Sequence, residues 1–125
     1  MEDKKSFLFL DDNPDRHLAF DQMLIGKPVS VDHVWTAEEC IRTLRSSAPY
    51  DCVFLDHDLG GRVFVQEEKG SGSEVAAFIG KDLDRTSYPK RVVVHSWNPA
   101  GAERMVRYIA PSGIPCEAIK FSFPA

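Results

Sequence analysis

Three short apolar runs in this chain end abruptly in an acid or a histidine, and that pattern restricts the fold more than any other feature. Phe7-Leu8-Phe9-Leu10 runs into Asp11-Asp12, Cys52-Val53-Phe54-Leu55 into Asp56, and Val92-Val93-Val94 into His95. The runs are continuous rather than alternating, as in central strands of a parallel sheet covered on both faces. Between them lie segments with helical signals. Asn13-Pro14 breaks the first strand, and Pro14 suits the first turn of a helix that carries Phe20, Met23 and Leu24 on one side. Asp12 is a candidate cap for that helix.

Residues 29–35 read as a second strand, favoured by Val31, Val34 and Trp35. Thr36 with Glu39 forms a capping box, and Ala37, Cys40, Ile41 and Leu44 follow with the spacing of an amphipathic helix. Ser71 or Ser73 can cap a third helix that reaches about Leu83, with Val75, Phe78 and Ile79 inward. Residues 91–95 form a fourth strand. Asn98 as cap and Pro99 at the first helical position open a fourth helix holding Ala102, Met105, Val106 and Ile109 inward, with Gly113 at its exit. Residues 116–123 read as a fifth strand. Strict alternation of strand and helix predicts an α/β fold with a parallel sheet, helices on both faces and right-handed crossovers.

Composition narrows the class. A chain of 125 residues, 43% hydrophobic and 27% charged, suits one folded domain over residues 1–125. It has no apolar run of about 18 residues and no secretory leader pattern, so no membrane span and a cytoplasmic location are expected. Cys40, Cys52 and Cys116 lack metal-site spacing and read as reduced core residues. A formal net charge of −4 argues against a footprint on duplex DNA.

In a parallel sheet the strand ends gather at one edge, and ligands bind beyond that edge. Asp11, Asp12 and Asp56 would meet there and repel one another unless a cation lay among them. Oxygen-rich sites of this kind suit Mg²⁺ or Mn²⁺, which bind through one or two carboxylates plus a phosphate. His57 and His95 are candidate proton donors or acceptors, because their ordinary pKa lies near neutrality. Ser96 and Asn98 can bind phosphate oxygens or act as turn and cap residues, and Arg16 can reach a phosphate or a carboxylate. Gly60 and Gly61, in a loop over residues 57–72, permit close backbone approach to a ligand or a tight turn. Lys120 can project toward the site or toward water. Trp97 can stack on a base or lie in the core. His17 and His33 have no such context and read as surface or packing residues.

These residues resemble receiver domains of bacterial response regulators: an acidic pair after the first strand, an Asp ending the third, and Ser96 after the fourth. The resemblance implies a flavodoxin-like three-layer sandwich with strand order 2-1-3-4-5. It also implies Mg²⁺ held by Asp11, Asp12 and Asp56, with Asp56 accepting a phosphoryl group and Lys120 as the fifth-strand cation. The fifth helix usual in that fold is expected to be missing after Phe123. Finer motifs resemble the cyclic-phosphate-processing receiver family: Leu10-Asp11-Asp12 with Arg16, Asp56-His57-Asp58-Leu59-Gly60, and His95-Ser96 with Asn98-Pro99-Ala100-Gly101 and Met105. That resemblance implies a metal-dependent phosphoesterase acting on cyclic phosphates of nucleotides or RNA ends. In this role Asp11, Asp12 and Asp56 would hold the metal and His95, His57 and Asp56 would be catalytic. Arg16, Ser96, Asn98 and Gly60 would bind substrate. A phospho-accepting receiver, or a non-catalytic module that binds a cyclic nucleotide or a protein partner, is the alternative.

Overall fold

The computed structural model describes residues 4–56, 72–95 and 99–119. Five parallel strands form one sheet: β1 (Lys5–Leu10), β2 (Val29–Val34), β3 (Cys52–Leu55), β4 (Val92–His95) and β5 (Cys116–Ile119). Their order is β2-β1-β3-β4-β5, as the receiver resemblance implies. The alternating helices are α1 (Pro14–Met23), α2 (Ala37–Ser46), α3 (Gly72–Lys81) and α4 (Pro99–Ile109). Short 3₁₀ turns follow at Arg85–Ser87 and Ala110–Ser112, and Gly113, with φ of 81°, ends the second in the left-handed region.

The strands divide their side chains between two cores. Leu8, Leu10, Val53, Leu55, Val92 and Val94 pack with Leu44, Val75, Ile79, Met105 and Ile109 from α2, α3 and α4. Phe9, Cys52, Phe54 and Val93 point to the opposite face, where Phe20 of α1 meets them. Phe9 stacks on Phe20 with ring centroids 4.2 Å apart, and Phe54 meets Phe20 edge to face at 4.8 Å.

Several local expectations change. Asn13, not Asp12, caps α1, accepting from the backbone N–H groups of Asp15 and Arg16. Met23 is exposed, because the buried stripe of α1 is the narrow set His17, Ala19 and Phe20. Ser73 lies inside α3 and is buried, so it does not cap that helix. Thr36 caps α2 as expected, accepting from Glu39 N–H, while the Glu39 carboxylate reaches back to Trp35 N–H. The expectations for Ser71, for strand residues 120–123 and for the chain beyond Phe123 lie outside the described residues. No helix among the described residues is long and apolar enough to cross a membrane.

Candidate functional site

The parallel register carries the site. Leu10 pairs with Val34 on one side and Leu55 on the other, and Leu55 pairs with Val94. The next residue along each chain is Trp35, Asp11, Asp56 and His95. Strand side chains alternate between faces, so this row points to the α1 face, opposite the row of Val34, Leu10, Leu55 and Val94. The aromatic layer of Phe9 and Phe54 lies directly beneath it.

Asp11, Asp56 and His95 are all buried, and one ligand atom from each lies within 4.8 Å of the others. His95 Nδ1 stands 3.7 Å from Asp11 Oδ2, and its ring stacks on Phe9 at 4.9 Å and 3°. Burial pushes the His95 pKa down to about 3, with the nearby positive charge of Arg16 acting in the same direction. The imidazole is therefore neutral at pH 7.

Arg16, in the first turn of α1, bridges the acids. Its Nε donates to Asp11 Oδ2 at 2.7 Å, and Nη2 lies 3.5 Å from Asp12 Oδ1 and 3.6 Å from Asp56 Oδ2. The Asp11 hydrogen bond is the largest influence raising the Arg16 pKa above its ordinary value. Asp11 Oδ1 accepts the backbone N–H of Asn13 at 2.9 Å, which fixes the turn into α1. Among the described residues, three carboxylates thus face one guanidinium and one neutral imidazole, a net negative set at the strand ends. A hard divalent cation matches that charge and the carboxylate oxygens, and the imidazole is a ligand more typical of transition metals.

The α3 side is equally tight. A Cβ on Gly72 would lie 2.0 Å from the Asp56 carbonyl oxygen and 2.8 Å from Met105 Cε, so only glycine fits where α3 begins against the acid-bearing strand.

The structure adds residues that the sequence did not single out. His17 is buried, and its Nε2 donates to the Asp11 carbonyl oxygen at 2.8 Å. Its Nδ1 meets His33 Nδ1 at 2.5 Å, and His33 Nε2 reaches Asp21 Oδ1 at 2.9 Å. Both outer nitrogens face oxygen acceptors, and the two Nδ1 atoms face each other. Burial is the main cause of a lowered His17 pKa. Trp35 stacks on His17 with centroids 3.7 Å apart. Face alternation along β2 was the signal that could have placed His33 and Trp35 beside α1.

Of the residues singled out from sequence, Asp11, Asp12, Asp56, His95 and Arg16 come together. His57, Asp58, Gly60, Gly61, Ser96, Trp97, Asn98 and Lys120 lie outside the described residues.

Comparison with known proteins agrees with this architecture. A two-component response regulator from Clostridium difficile aligns with a TM-score of 0.70 at 16% identity, covering 96% of this chain and 85% of that one. The receiver domain of a Pseudomonas aeruginosa sensor histidine kinase, with magnesium coordinated in its active-site cleft, aligns at 0.66 and 16%, covering 98% and 88%. A response regulator from Thermotoga maritima, in complex with Mg²⁺–BeF, aligns at 0.64 and 24%, covering 95% and 88%. No curated protein matches the sequence. The model of the Cyclic-phosphate processing Receiver domain matches residues 6–111. With the sheet order, the acidic strand ends and that match in agreement, the chain belongs to the cyclic-phosphate processing receiver domain family.

Proposed function

We propose that this protein is a metal-dependent phosphoesterase that opens a cyclic phosphate on a nucleotide or an RNA end. The observation that supports this reading is the buried group of Asp11, Asp56 and His95, whose ligand atoms converge within 4.8 Å, with Arg16 bridging its acids. Asp11 and Asp56, with Asp12 at the rim, would hold Mg²⁺ or Mn²⁺. When bound, such an ion neutralises phosphoryl oxygens and lowers the pKa of a coordinated water.

Hydrolysis adds water across one P–O ester bond: the hydroxyl goes to phosphorus and the proton to the ribose oxygen that leaves. His57 takes the water proton and returns it to the leaving oxygen, while His95, held neutral by burial, orients that water as a hydrogen-bond partner. Arg16 holds non-bridging oxygens; its guanidinium has five N–H donors, and the carboxylate contacts engage those of Nε and Nη2. Ser96, Asn98 and the backbone at Gly60 complete the phosphate contacts. The physiological ligand is then a small nucleotide or an RNA terminus, not duplex DNA.

The likeness to response regulators favours a second reading, in which Asp56 accepts a phosphoryl group. Phosphorus NMR separates the two. The protein is mixed with 2′,3′-cyclic and 3′,5′-cyclic nucleotides, with Mg²⁺ or with chelator, beside Asp56→Asn and His95→Ala. Metal-dependent conversion to a monoester, lost in both variants, is the expected result. No conversion, together with an acyl phosphate formed from acetyl phosphate and lost in Asp56→Asn, would replace the phosphoesterase with the receiver reading.

A further inference from the structure

We propose that Trp35 is the stacking surface for the nucleobase of a cyclic nucleotide whose phosphate lies over Asp11 and Asp56. This deepens the reading above and rests on it.

The row of strand-end residues sets the scale of the site. Trp35, Asp11 and Asp56 follow three adjacent parallel strands at the same level, so the backbone of Trp35 stands one strand spacing from that of Asp11 and two from that of Asp56, about 5 and 10 Å. A mononucleotide separates phosphate from base over the same scale. One face of the indole lies on His17, yet Trp35 keeps 39% of its surface exposed. A large aromatic side chain left open beside a polar site is a ready platform for stacking, and base–aromatic stacking tolerates any base.

The platform is also held in place. His17 joins the indole to the acidic turn through its Nε2–H bond to the Asp11 carbonyl, and His33 with Asp21 fixes the other side of that imidazole. The bland reading is a hydrophobic staple, in which a residue just before the helix cap packs on the fourth helical residue. Here that residue is Cys40, which is buried in the core under α2, whereas the Trp35 ring stacks on α1. The indole therefore faces away from the contact a staple would make, toward the α1 face that carries Asp11 and His95.

The consequence is a preference for nucleoside cyclic phosphates over cyclic phosphates without a base. The chain has two tryptophans, so Trp97→Phe leaves Trp35 as the single indole reporter. That protein, with Mg²⁺, is titrated with 2′,3′-cyclic AMP and with glycerol 1,2-cyclic phosphate. The expected result is saturable quenching of Trp35 emission by the nucleotide alone. By calorimetry, Trp35→Ala weakens nucleotide binding about tenfold and leaves glycerol cyclic phosphate unchanged, with Trp35→Phe in between. Equal weakening of both ligands, or nucleotide binding unaffected by Trp35→Ala, overturns the stacking proposal while the phosphate site stands. If neither ligand binds the wild-type protein, the phosphate reading fails and the stacking proposal fails with it.

Discussion

The two faces of the sheet are built from different materials. Toward α2, α3 and α4 the buried strand residues are Leu and Val, and the core there is hydrophobic throughout, with Tyr50, Phe78 and Met105 in it. Toward α1 the same strands present Phe9 and Phe54, then one step on Asp11, Asp56 and His95, with His17 and Trp35 alongside. The first face holds the fold together through non-directional burial. The second changes, within one residue along each strand, from aromatic packing to ionic chemistry. Substitutions on the two faces should therefore affect stability and ligand binding separately.

The largest expected effect on stability lies on the aliphatic face. Ile109 is fully buried far along α4, and Ile109→Ala should cost about 2–5 kcal/mol in a denaturant titration. Its folded fraction should bind Mn²⁺ as the parent does; a lost site there would mean that the two faces are coupled. Gly72→Ala lies where the faces meet. The added Cβ collides with the Asp56 backbone, so about 1–3 kcal/mol of stability and the cation affinity should fall together. A variant with full affinity would show that α3 yields without moving Asp56.

The pH dependence probes the charged face alone. In the folded protein His95 resists protonation until about pH 3, whereas in the unfolded chain it titrates near 6.5. The unfolded state therefore binds more protons in that window. This contribution is fully present above pH 6.5 and is lost as the pH falls toward 3, amounting to about 2 kcal/mol at pH 5. Urea titrations in chelator at pH 7 and 5 should show that loss, and His95→Gln should remove it. Arg16→Ala gives the smallest change and a signed one. Removing the guanidinium leaves Asp11, Asp12 and Asp56 to repel each other, so the metal-free protein loses about 1 kcal/mol, whereas Mn²⁺ binds about tenfold more tightly.

Much of the architecture was legible because burial and chemistry coincide along the strands. An apolar run that stops at an acid marks both a central strand and its functional end, so Asp11, Asp56 and His95 could be placed from sequence. What escaped was set by contacts across elements. His17 looks like an ordinary helix residue, and only the packing of α1 on β2 brings it under Trp35 and onto the Asp11 carbonyl. Asp12 and Asn13 are both good caps by type. Arg16 draws the Asp12 carboxylate toward the site, and Asn13 takes the cap. Met23 fits an inward helical position by spacing, yet the residues of α1 that are buried are His17, Ala19 and Phe20.

In this reading Asp11, Asp56 and His95 on the α1-face row form one cation site at the strand ends. Calorimetric titration of Mn²⁺ into the wild-type protein, Asp11→Asn, Asp56→Asn and Ile109→Ala tests it most directly. One site is expected in the wild type and in Ile109→Ala, and its loss in both aspartate variants. Undiminished Mn²⁺ binding in Asp11→Asn and Asp56→Asn would contradict it.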